Sequence, residues 1–207
     1  MATQRFMNLC GIKKRGILDS MCSEFIKTPY SEIRVNGLAH RANISRSSFY
    51  LYFEGKEDVL YCVLYQQREE LVTQVIAALK KEFGVFYEGM KHLAENIIED
   101  ETGQKYYKIY KHIMEDHECK HIVIKMEKEF YSSCLWKAGG RNCYKVINRS
   151  LYPNLEEETL KSAIGIGLLI IIRAAVQCYN MDTGAEKEKV RQSILQQLMI
   201  LDKGLQA

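Results

Sequence analysis

Proline is nearly missing from this chain: Pro29 and Pro153 are the only two among 207 residues. Proline removes an amide donor and breaks helix interiors. Its scarcity, beside abundant Leu, Ile, Lys, Glu and Met, leads to an all-α fold. Long apolar runs are missing as well. The longest, residues 163–172, ends at Arg173 and falls short of the roughly 20 residues that a membrane-spanning helix needs. No stretch reads as a secretion signal. The cysteines at positions 10, 22, 62, 119, 134, 143 and 178 form no Cys-x-x-Cys pair. Such an odd, scattered set suits reduced thiols and a cytoplasmic location better than a disulfide framework. Internal repeats, low-complexity linkers and nucleophile-elbow patterns are also lacking. The acidic run Glu156-Glu157-Glu158 suits a helix start, where carboxylates offset the positive end of the dipole. Neither an enzyme nor a cofactor is expected.

Charge is present but unevenly spread. The net charge is +3, yet residues 1–56 hold nine Lys and Arg against four Asp and Glu, while the remainder holds twenty against twenty-two. A basic front raises the local concentration of a polyanion, and phosphate contacts supply most non-specific DNA affinity. A merely solubilising surface would show the same asymmetry.

Residues 35–53 sharpen that choice. Leu38, Ala39 and Ala42 recur at helical spacing and give a short helix one apolar face. Asn43 stands where the chain must turn, and Asn tolerates the left-handed conformation better than most residues. Ser45 is placed to cap a second short helix, which Phe49 and Phe53 anchor to the core. Arg46, Ser47, Ser48, Tyr50 and Tyr52 are left facing outward. This is a helix-turn-helix layout, and a helix with a small polar surface can enter a major groove about 12 Å wide. A plain helical hairpin is the alternative.

Residues 17–60 resemble the DNA-binding domain of the tetracycline-repressor (TetR) family of transcriptional regulators. The likeness runs without insertion through Ile17-Leu18-Asp19, Phe25, Tyr30, Val35, Leu38-Ala39, Ala42, Ile44-Ser45, Phe49-Tyr50, Phe53 and Lys56-Glu57-Asp58-Val59-Leu60. It covers about a quarter of the chain; the rest is matched only by helical organisation. Pro29 replaces a usual glycine, Ile33-Arg34 a usual Thr-Thr pair and Asn43 the usual turn glycine. Arg34 cannot cap as threonine does but can still reach phosphate. Gly37 inside the first helix of the pair costs roughly 0.5–1 kcal/mol relative to alanine. The resemblance implies a homodimeric, ligand-responsive repressor on a palindromic DNA operator. Residues 1–56 would form a three-helix DNA-binding domain, and residues 57–207 a helical effector-binding and dimerisation domain. Arg46, Ser47 and Ser48, with Ser45 as cap, would sit at the groove, and Arg34, Tyr50, Tyr52 and Lys56 on phosphates. Lys13-Lys14-Arg15 would be either a backbone-binding arm or a tail.

Beyond this segment, helices are expected over residues 14–27, 56–83, 88–100, 105–117, 118–137, 142–150, 156–179 and 186–201. Gly84 and Gly139-Gly140 are read as stops. The helix over 156–179 is apolar nearly all the way round and must be covered on both sides. Ile164, Leu168, Ile171 and Ala175, with Ile194 and Leu198 of the final helix, are read as a dimer interface, unless they form a central monomer core. Dimerisation through the last two long helices is what the resemblance implies, and twofold symmetry then fixes a palindromic site.

The middle region is rich in aromatic side chains. Tyr107, Tyr110 and Met114 approximate one helix face and Met126 and Phe130 another, a lining for an apolar or aromatic small-molecule effector. Ordinary core packing accounts for the pattern equally well. His117 and His121 lie four apart beside Glu118 and Cys119, a spacing that could hold zinc in a metal-responsive regulator. A DNA-bound protein that docks another protein, with no small effector, is a further alternative. Once the effector binds, a tilt of the long helix starting at Lys56 would alter half-site separation.

Overall fold

The computed structural model describes residues 2–99, 108–110, 112, 113 and 116–206, and among them every regular element is helical. In chain order these are α1 (Gln4–Met7), α2 (Gly11–Lys27), a 3-10 turn (Tyr30–Glu32), α3 (Val35–Arg41), α4 (Arg46–Tyr52), α5 (Lys56–Lys81) and α6 (Phe86–Glu99). A 3-10 turn at His117–Cys119 leads into α7 (Lys120–Ser132), α8 (Cys134–Val146), α9 (Glu157–Tyr179) and α10 (Gly184–Gln206). The chain divides into two compact units, one made of Met1–Arg68 with Lys108–Tyr131, the other of Glu69–Tyr107 with Ser132–Ala207. Helix α5 thus gives its first half to one unit and its second half to the other.

Local chemistry explains most boundaries. Ser45 Oγ accepts the Ser48 amide at 3.0 Å and opens α4, as its position predicted. Asn43 takes φ +51°, the left-handed turn expected of it. At the end of α5, Phe83 and Gly84 have φ +53° and +75°. A Cβ on Gly84 would stand 2.2 Å from the Val146 carbonyl oxygen, so the stop also needs the missing side chain. Before α10, the Thr183 hydroxyl pairs with Glu186 Oε2 at 2.8 Å and accepts the Glu186 amide at 3.4 Å. This reciprocal cap starts the helix at Gly184 instead of residue 186.

Two expectations need correction. The stretch 118–137 is not one helix, because Ser133 Oγ accepts the Trp136 amide at 3.1 Å and starts α8 anew. Gly139-Gly140 is not a break either: both lie inside α8. Their role is close approach. A Cβ at Gly139 would meet Val72 at 2.4 Å and one at Gly140 would meet the Lys161 stem at 2.3 Å. A serine cap outweighed two helix-weakening glycines because the glycines gain packing that a larger residue would forbid.

In the second unit α9 is the central element. Leu160, Ile164, Leu168 and Ile171 are buried, as are Met90, Leu93 and Ile97 of α6 and Ile194, Leu198 and Leu205 of α10. A polar network sits within this apolar packing. Tyr152, fully buried, donates its hydroxyl to Asp202 Oδ1 and accepts the Phe86 amide at 2.9 Å, while the Tyr87 amide and Gln206 Nε2 also bond the Asp202 carboxylate. Burial raises the Tyr152 phenol above its ordinary range, with the Asp202 hydrogen bond adding to the shift. Helix α9 has the length and hydropathy to cross a membrane, but 56% of its apolar window is buried inside the protein, as in a core helix.

Candidate nucleic-acid interface

The first unit presents α3 and α4 on an apolar floor. Ile17, Leu18, Met21 and Phe25 of α2, Leu38 and Ala39 of α3, and Phe49 and Phe53 are all buried. With one face of each short helix held, the opposite face is left to solvent. Arg34, Ser45, Arg46, Ser47 and Tyr50 are exposed and Ser48 is half-buried. The three serine hydroxyls are tied together, Ser45 Oγ lying 2.8 Å from Ser47 Oγ and 2.9 Å from Ser48 Oγ. Arg46 lies over the Tyr50 ring, 5.8 Å from its centroid. Arg34 occupies the N-cap position of α3 without a side-chain cap bond, so its guanidinium is not engaged in closing that helix end.

Tyr52, read as outward-facing, and Lys56, read as a phosphate contact, are each held by the protein itself. The Tyr52 ring is half-buried, 5.7 Å from Phe6. The Lys56 ammonium donates to the Tyr30 carbonyl at 2.8 Å and lies 4.3 Å from the Tyr30 ring centroid. That lysine therefore fastens the start of α5 to the Tyr30–Glu32 turn.

The N-terminal segment supplies what the sequence reading missed. The Thr3 amide donates to the Tyr52 carbonyl at 2.9 Å and Thr3 Oγ1 to the Leu51 carbonyl at 2.6 Å. Phe6 is 1% exposed, its ring 4.6 Å from that of Phe53. Helix α1 thus covers the C-terminal end of α4 and satisfies carbonyls that a helix end leaves open. The available signal was Thr3 three residues before Phe6, a capped single turn. Lys13, Lys14 and Arg15 lie within α2 and form neither a tail nor a separate arm.

Residues 108–131 share this unit and touch it at defined points. The Ser31 amide, in the 3-10 turn ahead of α3, donates to Asp116 Oδ2 at 2.7 Å. His121 Nε2 stands 3.5 Å from Glu57 Oε1, both exposed. Among the described residues no three His, Cys, Asp or Glu side chains gather as a metal site. Burial pushes the Cys62 and Cys119 thiols up to about 11 and that of Cys143 to about 12, so these thiols stay protonated at neutral pH.

Of the five residues read as an effector lining, Tyr107 and Met114 lie outside the described residues. Met126 and Phe130 are fully buried, and Tyr110 faces Arg68, whose Cζ is 5.9 Å from its ring centroid. In the second unit a cleft of about 560 Å³ lies between α5 and α6, lined by Gln74, Ala78, Lys81, His92, Leu93 and Ile97. None of the five lines it. The six residues read as a dimer interface (Ile164, Leu168, Ile171, Ala175, Ile194 and Leu198) are all buried inside the protein's own second unit. Its exposed apolar side chains on α9 and α10 are Ile166, Leu169, Tyr179, Met199 and Ile200.

Comparison with known proteins agrees with this arrangement. Residues 17–61 match the family model described as bacterial regulatory proteins, tetR family. No curated protein matches the chain. Among solved structures, a TetR-family transcriptional regulator from Syntrophomonas wolfei superposes with a TM-score of 0.59 at 20% identity, covering 94% of this chain and 96% of that one. The fatty acid degradation regulator FadR of Bacillus halodurans gives 0.53 at 19% identity, covering 91% and 97%. The repressor AlkX of a Dietzia strain, implicated in n-alkane biodegradation, gives 0.52 at 12%, covering 92% and 95%. Residues 17–61 thus carry the tetR-family match, and the chain as a whole has the helical fold of these solved structures.

Proposed function

We propose that the protein is a cytoplasmic, ligand-responsive repressor that binds a palindromic operator as a homodimer. The exposed N-terminal surface of α4, with Arg46 beside two serine hydroxyls, carries this reading. Arg46, Ser47 and Ser48 read base edges, Ser45 holds the helix start, and Arg34 and Tyr50 contact phosphates. Tyr52 and Lys56 contribute by positioning, given the ring contact of Tyr52 with Phe6 and the hydrogen bond of Lys56 to Tyr30. Residues 1–56 carry DNA recognition and residues 57–207 carry effector binding and dimerisation.

The buried residues of α9 and α10 cannot pair with a second copy while they fill their own core. The dimer face passes to the exposed apolar set Ile166, Leu169, Met199 and Ile200, a patch that costs free energy unless covered. The effector is apolar or aromatic and lies against Tyr110, Met126 and Phe130, with Tyr107 and Met114 added from the sequence. The apolar substrates in the names of FadR and AlkX support that choice. Asp116 offers the coupling, because it ties the effector-facing segment to Ser31 in the 3-10 turn that precedes α3. An effector that binds better when this tie is altered shifts the DNA-competent population.

Selection from random double-stranded DNA tests the reading. The expected product is an inverted repeat with half-sites one helical turn, or a multiple, apart. Enrichment of a single asymmetric site, or of none, refutes it.

A further inference from the structure

Arg68 is 3% exposed, yet only part of its guanidinium is satisfied. Nη2 donates to Glu127 Oε1 at 2.6 Å, whereas Nε and Nη1 have no hydrogen-bond partner. Buried donors left in this condition are rare and costly. The surroundings are aromatic. Tyr110 stands 5.9 Å away by ring centroid, and the Tyr65–Phe130 and Phe130–Tyr131 ring pairs are 5.4 and 5.8 Å apart. Tyr61 stacks on Tyr65 and donates to Glu129 Oε2. Tyr65, Tyr110 and Tyr131 are each only half-buried, so Arg68 lies one side chain beneath the surface.

We infer that Arg68 is the polar anchor of a small-molecule site, and that the ligand is an uncharged carbonyl compound with an aromatic or alkyl body. This inference rests on the effector reading above and adds the ligand's chemistry. Free guanidinium donors call for an oxygen acceptor. The sign of charge then decides which acceptor. Glu127 already neutralises Arg68, so an anionic ligand would bring its charge beside the Glu127 carboxylate in a poorly solvated place. A neutral carbonyl oxygen meets the donors without that repulsion. Its carbon body is covered by the ring faces, which accept flat or flexible apolar groups alike. Tyr110 or Tyr131 yields to admit it. Burial works against the Arg68 charge, but the Glu127 carboxylate bonded to it favours the charged form, so the anchor stays cationic.

Calorimetric titration of the full chain with acetophenone, benzoate and ethylbenzene tests this. Acetophenone is expected to bind about tenfold or more tighter than either of the others, the effect of one hydrogen bond from a charged donor. Arg68→Met should abolish the preference over ethylbenzene. Glu127→Gln, which keeps an oxygen acceptor for Arg68 at a half-exposed position, should raise benzoate above acetophenone because the guanidinium charge is then unbalanced. Equal binding of acetophenone and ethylbenzene, no binding of any probe, or an unchanged order in Glu127→Gln overturns the inference and leaves the donors to bound water. If Arg68→Met does not fold, Glu127→Gln decides alone. Operator DNA added to the same titrations separates the two readings. Acetophenone bound through Arg68 with unchanged DNA affinity removes the effector role but keeps the site. DNA release by ethylbenzene as readily as by acetophenone keeps the effector role and removes the Arg68 anchor.

Discussion

Replacing Phe6 by alanine should loosen the DNA-reading helix from its far end. Helix α4 is seven residues long and α1 four, both too short to persist without tertiary contacts. Phe6 is 1% exposed against Phe53 and Tyr52. Truncating so buried a phenylalanine costs about 3–5 kcal/mol in transfer and cavity terms. The short α1 can detach instead of leaving a cavity, which places the loss near the lower limit, about 3 kcal/mol. For a chain of this length that lowers Tm by about 6–12 °C. Detachment also frees the Leu51 and Tyr52 carbonyls that Thr3 holds, so operator affinity should fall by about tenfold, a loss of about 1.4 kcal/mol. Urea unfolding followed by far-UV circular dichroism and fluorescence anisotropy with labelled operator measure the two effects. Leu205→Ala in the second unit is the control for instability alone. A cost under about 1 kcal/mol for Phe6→Ala, or equal weakening of DNA binding by the control, would show that Phe6 does not fasten α4.

Tyr152→Phe strips the hydroxyl that joins the Phe86 amide to Asp202; about 1–3 kcal/mol of stability should be lost, and an unchanged urea midpoint would show that the network contributes nothing. For Asp116, burial alone would raise the carboxyl, but the amides of Glu118 and Ser31 more than compensate and hold it below its ordinary 3.8. A depressed carboxyl stabilises fully above that ordinary value and loses the effect as pH falls through its lower folded value. Asp116→Asn should therefore flatten the loss of stability in acid below about pH 4, and equal acid slopes would remove the contact from the coupling path. Ile166→Glu with Leu169→Glu places charge on the exposed stripe of α9 and should turn a dimer into a monomer by sedimentation while leaving the helical signal intact. A dimer that survives both charges lies elsewhere.

Much of the surface proposed to read DNA could be anticipated from residue order because its determinants are local. Asn43 needs only its own turn to adopt a positive φ, and Ser45 reaches an amide three residues on. The 3.6-residue spacing of Leu38, Ala39 and Ala42 likewise declares a buried face without reference to distant chain. The residues at 139 and 140 were misread for the complementary reason. A glycine pair looks the same whether it ends a helix or admits Val72 and Lys161, and only the approach of those side chains distinguishes the two. The proposed dimer face shows the same limit. An all-round apolar α9 announces that both sides must be covered, yet which residues face the protein's own core depends on where α6 and α10 pack.

The order of residues sufficed for the all-helical class, the turn at Asn43, the cap at Ser45 and the tetR-type segment, since each follows from backbone preference or spacing within a few positions. Tertiary structure alone decided that Phe6 fastens α4, that Lys56 is occupied by the Tyr30 carbonyl, that Ile164 and Leu168 are core, and that Arg68 keeps two buried donors unpaired. Those outcomes join residues tens of positions apart. Burial and hydrogen-bond satisfaction are properties of the assembled neighbourhood, and no local pattern carries them.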